Sequence, residues 1–325
     1  MRLLVIMDPV QTVIEEKDTS LALMAAAQER NHRVYHCVAG DVWLDGGGSV
    51  RATVRPATIT PGGHPPITLG PPTDVGLGEM DVVLVRTDPP FDSEYLTLTL
   101  LLEQARGSTF IVNDPRGLRE ANEKLYACRF PELMPPSIVT SAVDRITDFI
   151  DEHDGAVLKP IDGHGGNGVR VLVPGDLNIH GLIEDMTAWG RRPVMVQRYL
   201  REVAKGDKRI LLLNGEFLGA VLRIPAAGDF RANIAVGGTA QPARLDSGDR
   251  RIIHEIGPAL REDGLFFVGI DVIAGHLTEV NVTSPTGIRQ LARLTGANPA
   301  HVVVGWLERQ GASSALDPEA SFTCP

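Results

Sequence analysis

The chain has 325 residues, of which 43% are hydrophobic and 22% charged, and its formal net charge is −10. This composition is typical of a folded globular protein with room for two or three domains, and it excludes disorder of the whole chain. The excess of acidic residues argues against a general nucleic-acid or anionic-membrane surface, so we expect neither partner.

Three further features of the sequence predict a cytoplasmic protein. The cysteines, Cys37, Cys128 and Cys324, are odd in number and widely spaced, which argues against a disulfide framework and fits a reducing compartment. The first ten residues lack the long apolar region and the cleavage site of a signal peptide. No segment reaches the roughly 20 apolar residues that a membrane-spanning helix needs.

The first third of the sequence alternates between strand and helix patterns. It begins with a strand, a helix and a strand at residues 3–7, 18–31 and 33–39. The alternation continues with a strand, a helix and a strand at residues 81–86, 93–106 and 109–114. Asp18 or Thr19 is the expected N-cap of the first helix. This order predicts a parallel sheet with helices on its faces, and we expect an α/β domain at residues 1–121.

Residues 56–78 interrupt this alternation. The segment is dense in proline and glycine and has no hydrophobic periodicity, so it predicts a long loop. A tolerated surface insertion and a functional lid both fit such a composition.

Two further units are predicted after the first domain. A helix is expected at residues 117–130, and the second unit, at 122–200, contains strand patterns on both sides of a glycine-rich segment. The third unit, at 201–325, contains two pairs of apolar runs. An Asn-Gly pair at 214–215 joins the first two runs and is a strong hairpin signal. The second pair of runs turns near Gly275.

Three oxygen-bearing side chains interrupt the apolar second hairpin. Glu279 and Asn281 are two residues apart, so they share one face of a strand. A three-residue turn at 274–276 would place Asp271 opposite Glu279 on that face. Carboxylate and amide oxygens suit a hard cation, Mg²⁺ or Mn²⁺, which would offset the cost of burying the carboxylates. The alternative is an exposed strand face with ordinary polar alternation.

The segment DGHGGNG at residues 162–168 lies between two strand patterns. Its glycines let backbone N–H groups approach phosphate oxygens closely, although a simple turn can have the same composition. The segment matches neither the Rossmann nor the P-loop fingerprint, and it does not begin a helix. Lys159 and Lys124 are candidate phosphate-binding cations. The alternative for each lysine is an ordinary solvated surface position.

The third unit adds a cluster of cationic side chains: Lys208, Arg209, Arg223 and Arg231. Arg223 ends a strand pattern, where an unpaired guanidinium would be an unusual choice. The planar guanidinium has five donors that suit carboxylate or phosphoryl oxygens. Exposed arginines without a ligand are the alternative for each member taken singly.

Taken in order, these segments resemble one known family. The succession NEKL, LKPIDGHGGNGV, QRYL, GDKRILLLNG, VLRIP, RANIAVGG, GIDVI and TEVNVTSPTGIR is similar to that of the bacterial glutathione synthetases, which are ATP-grasp ligases. VIMDPV and VLVRTDPPFDSEY are similar to the N-terminal domain of that family, so the resemblance spans about residues 3–310. The sequence departs from the family at 56–78 and at Gly287 and Gln290, where a familiar pattern has cysteine and glutamate.

The resemblance implies an N-terminal α/β (pre-ATP-grasp) domain followed by a two-part ATP-grasp fold, with ATP between the two parts. The ATP-binding positions that it implies are Lys124, Lys159, Gly163, His164, Gly165, Gly166, Asn167, Gly168, Gln197, Tyr199, Leu200 and Lys208. The implied metal ligands are Asp271, Glu279 and Asn281, and Arg209 and Arg223 would act on the transferring phosphate. The substrate would contact Arg86, Asn233 and Ser284.

The reaction that the resemblance implies joins γ-glutamylcysteine to glycine through an acyl phosphate and yields glutathione, ADP and phosphate. The family also implies a homo-oligomer that binds only small-molecule substrates. One alternative is an ATP-grasp ligase for a different acid and amine. A second is a nucleotide-binding protein without catalysis, which the retained metal and lysine candidates argue against. A Rossmann dehydrogenase is disfavoured because its glycine fingerprint is missing.

Overall fold

The computed structural model describes residues 1–226, 228, 231–232 and 237–314. In this part of the chain the strands form three β-sheets, of eight, four and five strands in chain order. No helix in the described ranges is both long enough and apolar enough to span a membrane.

The first sheet has parallel strands at its centre, as the sequence predicts. Its strands are β1 (Arg2–Ile6), β2 (Arg33–Cys37), β3 (Val42–Leu44), β4 (Val50–Ile59), β5 (Ile67–Leu69), β6 (Thr73–Gly76), β7 (Val82–Val85) and β8 (Phe110–Val112). β1 pairs in parallel with β2 and β7, and β7 pairs in parallel with β8. The helices of this region are α1 (Thr19–Glu29), α2 (Ser93–Glu103) and α3 (Pro115–Glu120). Asp18 is the N-cap of α1, where its Oδ1 accepts the backbone N–H of Leu21 at 2.7 Å.

The prediction of a long loop at residues 56–78 is wrong. β4 continues to Ile59, and β5 and β6 pair with it in antiparallel fashion. Ala57, Ile59 and Ile67 are buried, so this region contributes to the core. Most of the prolines and glycines lie between these short strands and hide their periodicity in the sequence.

The second sheet is entirely antiparallel. Its strands are β9 (Ser137–Thr140), β10 (Ala156–Pro160), β11 (Arg170–Leu172) and β12 (Val194–Arg198), in the spatial order β11-β10-β12-β9. The helices α4 (Val143–Glu152) and α5 (Ile179–Met186) pack against it through an apolar cluster that includes Ile146, Ile150 and Ile183. The glycine-rich segment connects β10 to β11, as predicted.

The predicted helix at 117–130 is broken. It ends with α3 at Glu120, and residues 121–125 are not helical. Asn122 explains the break, because its Oδ1 accepts the backbone N–H groups of Lys124 at 3.1 Å and of Leu125 at 3.0 Å. Such local bonds compete with the helical hydrogen-bond pattern. The break leaves Glu123 and Lys124 on an extended turn beside the third sheet.

The third sheet contains both predicted hairpins. Its strands are β13 (Asp207–Leu213), β14 (Glu216–Ile224), β15 (Thr239–Pro242), β16 (Phe267–Ile273) and β17 (His276–Asn281), in the order β15-β14-β13-β16-β17. The helix α6 (Ser247–Glu262) runs between β15 and β16. Asn214 and Gly215 form the first turn with positive φ angles of 52° and 70°.

The turn of the second hairpin differs from the prediction. It has two residues, Ala274 and Gly275, because Ile273 pairs with His276. A β-bulge follows, and it restores the predicted pairing of Asp271 with Glu279.

The last helices return the chain to the first sheet. They are α7 (Ile288–Thr295) and α8 (Pro299–Ser314), and Val303, Val304 and Trp306 of α8 belong to the same apolar cluster as α1. Glu308 links α8 to the residues that follow α1. Its carboxylate accepts hydrogen bonds from Arg30 Nε at 2.7 Å and Arg30 Nη2 at 2.5 Å, and it also contacts the ring of His32 at 2.5 Å.

We expect Glu308→Gln to weaken the attachment of α8 in a pH-dependent way. The hydrogen bond from Arg30 lowers the pKa of Glu308 to about 2 from its ordinary value of 4.5. Its contribution to stability is therefore present above the ordinary value and is lost as the pH falls towards the lowered one. Thermal unfolding at neutral pH should show a Tm roughly 1–3 °C below that of the wild type, with the difference narrowing between about pH 5 and pH 3. Glu120→Gln is a matched control, because Glu120 pairs with Arg116 within one short helix. An unchanged Tm in Glu308→Gln would contradict the prediction.

Candidate functional site

Two adjoining cavities lie where the three sheets meet. The inter-sheet cavity, between the second and third sheets, has a volume of about 110 Å³ and is bordered by residues that include Lys124, Lys159, Gln197 and Asp271. The large cavity, of about 430 Å³, extends to the carboxyl ends of β1 and β7 and is bordered by residues that include Asp18, Arg86, Arg223, Asn281 and Gln290. His164 and Glu279 border both cavities, so the two spaces meet at these side chains.

Strand register brings the central charged side chains together. Arg209 of β13 lies opposite Asp271 of β16, and Asp271 lies opposite Glu279 of β17. Directly opposed residues of neighbouring strands point to the same face of a sheet, so the three side chains form one row. Asn281, two residues after Glu279, shares this face, and its Nδ2 donates to the carbonyl of Gly269 at 3.1 Å.

Two arginines hold the carboxylate of Asp271. Arg209 donates to both oxygens, from Nε to Oδ1 at 2.5 Å and from Nη2 to Oδ2 at 3.0 Å, and Arg223 Nη2 lies 3.0 Å from Oδ1. All three side chains are buried. Burial alone would raise the pKa of Asp271, but the two guanidinium groups outweigh this effect and lower it. The two guanidinium groups therefore favour the anionic form of Asp271.

Asp207 is a member of this network that the sequence analysis missed. It lies opposite Arg223 in the β13–β14 pair, and its Oδ2 accepts a hydrogen bond from Arg223 Nη2. Burial raises the pKa of Asp207 to about 6, with Arg223 opposing the shift and Asp271 adding to it. A detectable signal was present, because Asp207 and Arg209 are two residues apart at the start of an apolar strand.

Both predicted lysines reach the inter-sheet cavity. Lys124 Nζ lies 3.0 Å from Glu279 Oε1 and also donates to the carbonyl of Gly163. Lys159 Nζ donates to Gln197 Oε1 at 2.9 Å and to the carbonyl of Thr278 at 3.4 Å. Burial lowers the pKa of Lys159, and the nearby Glu279 opposes the shift. These contacts tie the glycine-rich loop and the second sheet to the third sheet.

Glu123 is a second site residue that the sequence analysis missed. Its Oε1 accepts the backbone N–H groups of Val282 at 3.0 Å and Thr283 at 3.2 Å, and the hydroxyl of Thr283 at 2.9 Å. Its position next to Lys124 was the available signal. Burial raises the pKa of Glu123, and the charge of Glu279 adds to the shift. Glu123 thereby fixes the segment that carries Lys124 to the end of β17.

The glycine-rich loop folds over the junction of the two cavities. Gly163, His164, Gly166 and Asn167 border the inter-sheet cavity, and Gly165 borders the large cavity. Gly168 shapes the end of the loop. Its φ of 73° favours glycine, and a Cβ atom there would lie 2.9 Å from Pro160 Cγ. Gln197, Tyr199 and Leu200, at the end of β12, also border the inter-sheet cavity.

The remaining predicted positions divide into three groups. Arg86 and Ser284 border the large cavity, as expected for positions near a substrate. Lys208 requires a correction, because strand alternation turns its side chain away from Asp207 and Arg209. It pairs instead with Asp246, at 3.1 Å, and with Asp249 at the start of α6. Asn233 lies outside the described residues.

The row of oxygen donors fits a hard divalent cation. Asn281 directs its Nδ2 to Gly269 and, at 3.5 Å, to Asp271 Oδ2, which leaves its Oδ1 as an acceptor. Asp271 and Glu279 add carboxylate oxygens, and no sulfur or imidazole ligand belongs to the set. In the described ranges no group of three His, Cys, Asp or Glu side chains has a metal-binding arrangement, so any cation here depends on the amide oxygen.

Comparison with known proteins identifies the family. The family model "Prokaryotic glutathione synthetase, N-terminal domain" matches residues 1–119, and "Prokaryotic glutathione synthetase, ATP-grasp domain" matches residues 123–296. The chain is 45% identical over 308 residues to the glutathione synthetase of Bradyrhizobium diazoefficiens, with 94% of this chain and 97% of the relative covered. It is 46% identical over 313 residues to that of Gloeobacter violaceus, with 94% and 96% covered.

Solved structures share the fold at much lower identity. D-cycloserine synthetase DcsG is 15% identical with a TM-score of 0.65, and the match covers 95% of this chain and 99% of that one. The ATP-grasp ligase PsnB, in complex with a minimal precursor, Mg and ADP, is 15% identical with a TM-score of 0.63, covering 96% and 98%. These likenesses establish the ATP-grasp architecture that the sequence analysis expected.

The network around Asp271 predicts a large cost for removing Arg209. Arg209→Met would leave a buried carboxylate without its bidentate partner, so we expect the free energy of unfolding in urea to fall by about 3–5 kcal/mol. Adding Asp271→Asn should restore part of this loss, because the uncompensated charge is then removed. Arg251→Met is the control, since Arg251 forms an exposed pair with Glu255 one helical turn away. Wild-type stability in Arg209→Met would rule out this account of the network.

Proposed function

The chain belongs to the family of prokaryotic glutathione synthetases, and we infer that it carries out ATP-dependent synthesis of glutathione. It is an ATP-grasp ligase that joins a carboxylate to an amine and acts on small molecules. In our proposal the acid is γ-glutamylcysteine and the amine is glycine. The observation that supports the ATP-dependent chemistry is that Asp271 and Glu279 border the same inter-sheet cavity as Lys124 and Lys159. Arg209, which holds Asp271, borders the adjoining large cavity.

We propose that ATP occupies the inter-sheet cavity. Lys124 and Lys159 would neutralise its phosphates, and the glycine-rich loop, residues 163–168, would cover them. Gln197, Tyr199 and Leu200 would receive the adenine at the other end of the cavity, through backbone groups. The positions of these residues around one cavity support the proposal. Lys208 is not part of it, because its side chain pairs with Asp246 and Asp249.

Asp271, Glu279 and Asn281 would hold the divalent cation, Mg²⁺ or Mn²⁺. When bound, such a cation would offset the negative charge of the phosphate groups. The residues of the chain contribute in two ways. Arg209 fixes the orientation of Asp271 through two hydrogen bonds, and Lys124 fixes that of Glu279 through one ion pair.

In the proposed mechanism the substrate carboxylate attacks the γ-phosphorus of ATP, and the bond to the ADP oxygen breaks. The product is an acyl phosphate, whose carbonyl carbon the amine of glycine then attacks with loss of inorganic phosphate. Alignment and charge neutralisation supply most of the catalysis in phosphoryl transfer. Arg223 has a buried Nε without a hydrogen-bond partner among the described residues, so it retains a donor for the transferring group. The loop cover would keep water from the acyl phosphate.

The wider organisation is also proposed. The three sheets support a division into an N-terminal domain at 1–121, a central part at 122–200 and a C-terminal part at 201–325. We propose a homo-oligomer from the family resemblance alone. A reducing, cytoplasmic setting fits Cys37 and Cys128, which are both free cysteines.

A panel of acids and amines tests the proposed function. The purified chain should release ADP with γ-glutamylcysteine and glycine together, and mass spectrometry should identify glutathione. Either substrate alone should give little ADP, because the acyl phosphate is consumed only by the amine. ADP release with another acid and amine, and none with this pair, would refute the assignment while leaving the ligase class intact. Failure of every pair would favour a nucleotide-binding protein without catalysis.

The corrected position of Lys208 gives a paired test of the ATP site. Lys159→Met removes a cation from the inter-sheet cavity, so we expect the KM for ATP to rise by at least about 10-fold. Lys208→Met also removes a lysine cation, but from the face of β13 that points away from Asp207 and Arg209. It should leave this KM within about twofold. Steady-state kinetics with saturating acid and amine measure both. Equal effects of the two substitutions would contradict the assigned geometry.

A further inference from the structure

The glycine-rich loop is held more by hydrogen bonds than by packing. Each residue at 161–168 is exposed or half-buried. A third cavity, of about 100 Å³, lies between the base of the loop at Ile161 and the side chains of Phe91 and Leu118. Burial of apolar surface therefore contributes little to the position of the loop, and polar contacts decide where it lies.

Two hydrogen bonds from the turn at 121–125 hold the loop. Asn122 Nδ2 donates to the carbonyl of Ile161 at 3.1 Å, and Lys124 Nζ donates to the carbonyl of Gly163. Lys124 is also a cation that we assign to the ATP phosphates. An anionic phosphate oxygen is a stronger acceptor than a neutral carbonyl, so ATP would draw Lys124 away from Gly163. The bond from Asn122 would remain, because its neutral amide is not drawn to the nucleotide in this way.

The oxygen of the same amide fixes the turn itself. Asn122 Oδ1 accepts the backbone N–H of Lys124 at 3.1 Å and that of Leu125 at 3.0 Å. The amide group has donors on its nitrogen and an acceptor oxygen, so one side chain can bond in both directions. Asn122 thereby sets the distance between the segment that carries Lys124 and the base of the glycine-rich loop.

The turn belongs to the third sheet, whereas the loop belongs to the second. Glu123 accepts the backbone N–H groups of Val282 and Thr283 through its side chain, and its own carbonyl accepts the N–H of Val280 at 2.9 Å. These bonds fix the turn to β17. The bond from Asn122 therefore joins the loop to the opposite wall of the inter-sheet cavity.

We propose that Asn122 is a positioning residue that keeps the glycine-rich loop over the junction of the two cavities while Lys124 binds ATP. The inference rests on the proposed function and adds the group that holds the loop in place during phosphoryl transfer. Asn122 acts through the loop and not on the reacting atoms. A loop that stays in place excludes water, so loss of this bond would expose the acyl phosphate to hydrolysis.

Asn122→Ser separates the two hydrogen-bonding roles of the amide. The serine hydroxyl can accept the same backbone N–H groups of the turn, but it is too short to reach the carbonyl of Ile161. With γ-glutamylcysteine, glycine and ATP at saturation, we expect the ADP formed per glutathione formed to rise at least about threefold, the scale of one hydrogen bond. The KM for ATP should stay within about twofold, because Lys124 keeps its place.

The ratio of ADP to glutathione does not depend on how much of the protein is folded, so a merely structural defect leaves it unchanged. A wild-type ratio in Asn122→Ser would overturn the inference. A higher KM for ATP without a change in the ratio would also overturn it, because Asn122 would then act on Lys124 alone. Asn178→Ser is the matched control, since Asn178 is exposed just before α5.

Hydrogen exchange tests the position of the loop without the reaction. With ADP and Mg²⁺ present, exchange of the amides at 161–168, followed by mass spectrometry, should be at least about threefold faster in Asn122→Ser than in wild type. Equal rates would overturn the inference. A wild type that forms no glutathione, together with faster exchange in the variant, would support the inference while the proposed function failed.

A second variant keeps the inference testable if Asn122→Ser does not fold. Asn122→Asp retains Oδ1 and replaces the donor by an oxygen, which cannot donate to the carbonyl of Ile161. It should also raise the ratio of ADP to glutathione at least about threefold. A ratio equal to that of wild type would count against the positioning role and overturn the inference.

Discussion

The site depends on the register of three antiparallel strands. β13, β16 and β17 place Arg209, Asp271 and Glu279 directly opposite one another, so one cationic and two anionic side chains form a row across the sheet. A slip of one residue in either pairing would turn one member to the other face. The two-residue turn and the β-bulge of the second hairpin fix this register, because together they determine which residue of β17 lies opposite each residue of β16.

Buried charges connect this row to the rest of the protein. Asp207 and Arg223 extend it within the third sheet, and Lys124 and Lys159 join it to the glycine-rich loop and the second sheet. Desolvation offsets much of the attraction in such pairs, so they contribute less to net stability than their number suggests. Their main effect is to fix the positions of the charged side chains. Each of these charged groups has a partner in the structure, and the two cavities lie beside the paired groups.

In the proposed function the two cavities would serve different steps of the reaction. The inter-sheet cavity belongs to the second and third sheets and carries the groups proposed for ATP. The large cavity reaches the carboxyl ends of β1 and β7, where open parallel sheets commonly bind ligands. In the proposed function the first sheet would supply substrate recognition through Arg86, and the ATP-grasp part would supply activation. Glu279 and His164 lie where the two cavities meet.

The sequence by itself predicted the parallel strands and two helices of the first domain, both hairpins and the types of residue at the site. Local chemistry carries this information: Asp18 caps a helix, an Asn-Gly pair turns a hairpin, and alternate residues of a strand share a face. It could not reveal the short strands at 56–78, whose prolines and glycines conceal their pattern, or the break at Asn122.

Tertiary structure decided which charged side chains meet. Lys208 and Arg209 are adjacent in the sequence, but their side chains point to opposite faces of β13. Lys208 therefore pairs with Asp249 of α6, and Arg209 pairs with Asp271 of the neighbouring strand β16. Arg86 Nη1 and Gln290 Oε1 have no hydrogen-bond partner in the part of the chain that the structure describes. The sequence could not predict this, because a missing partner is defined only after every other contact has formed. Such contacts join residues far apart in the chain, and no local pattern in the sequence records them.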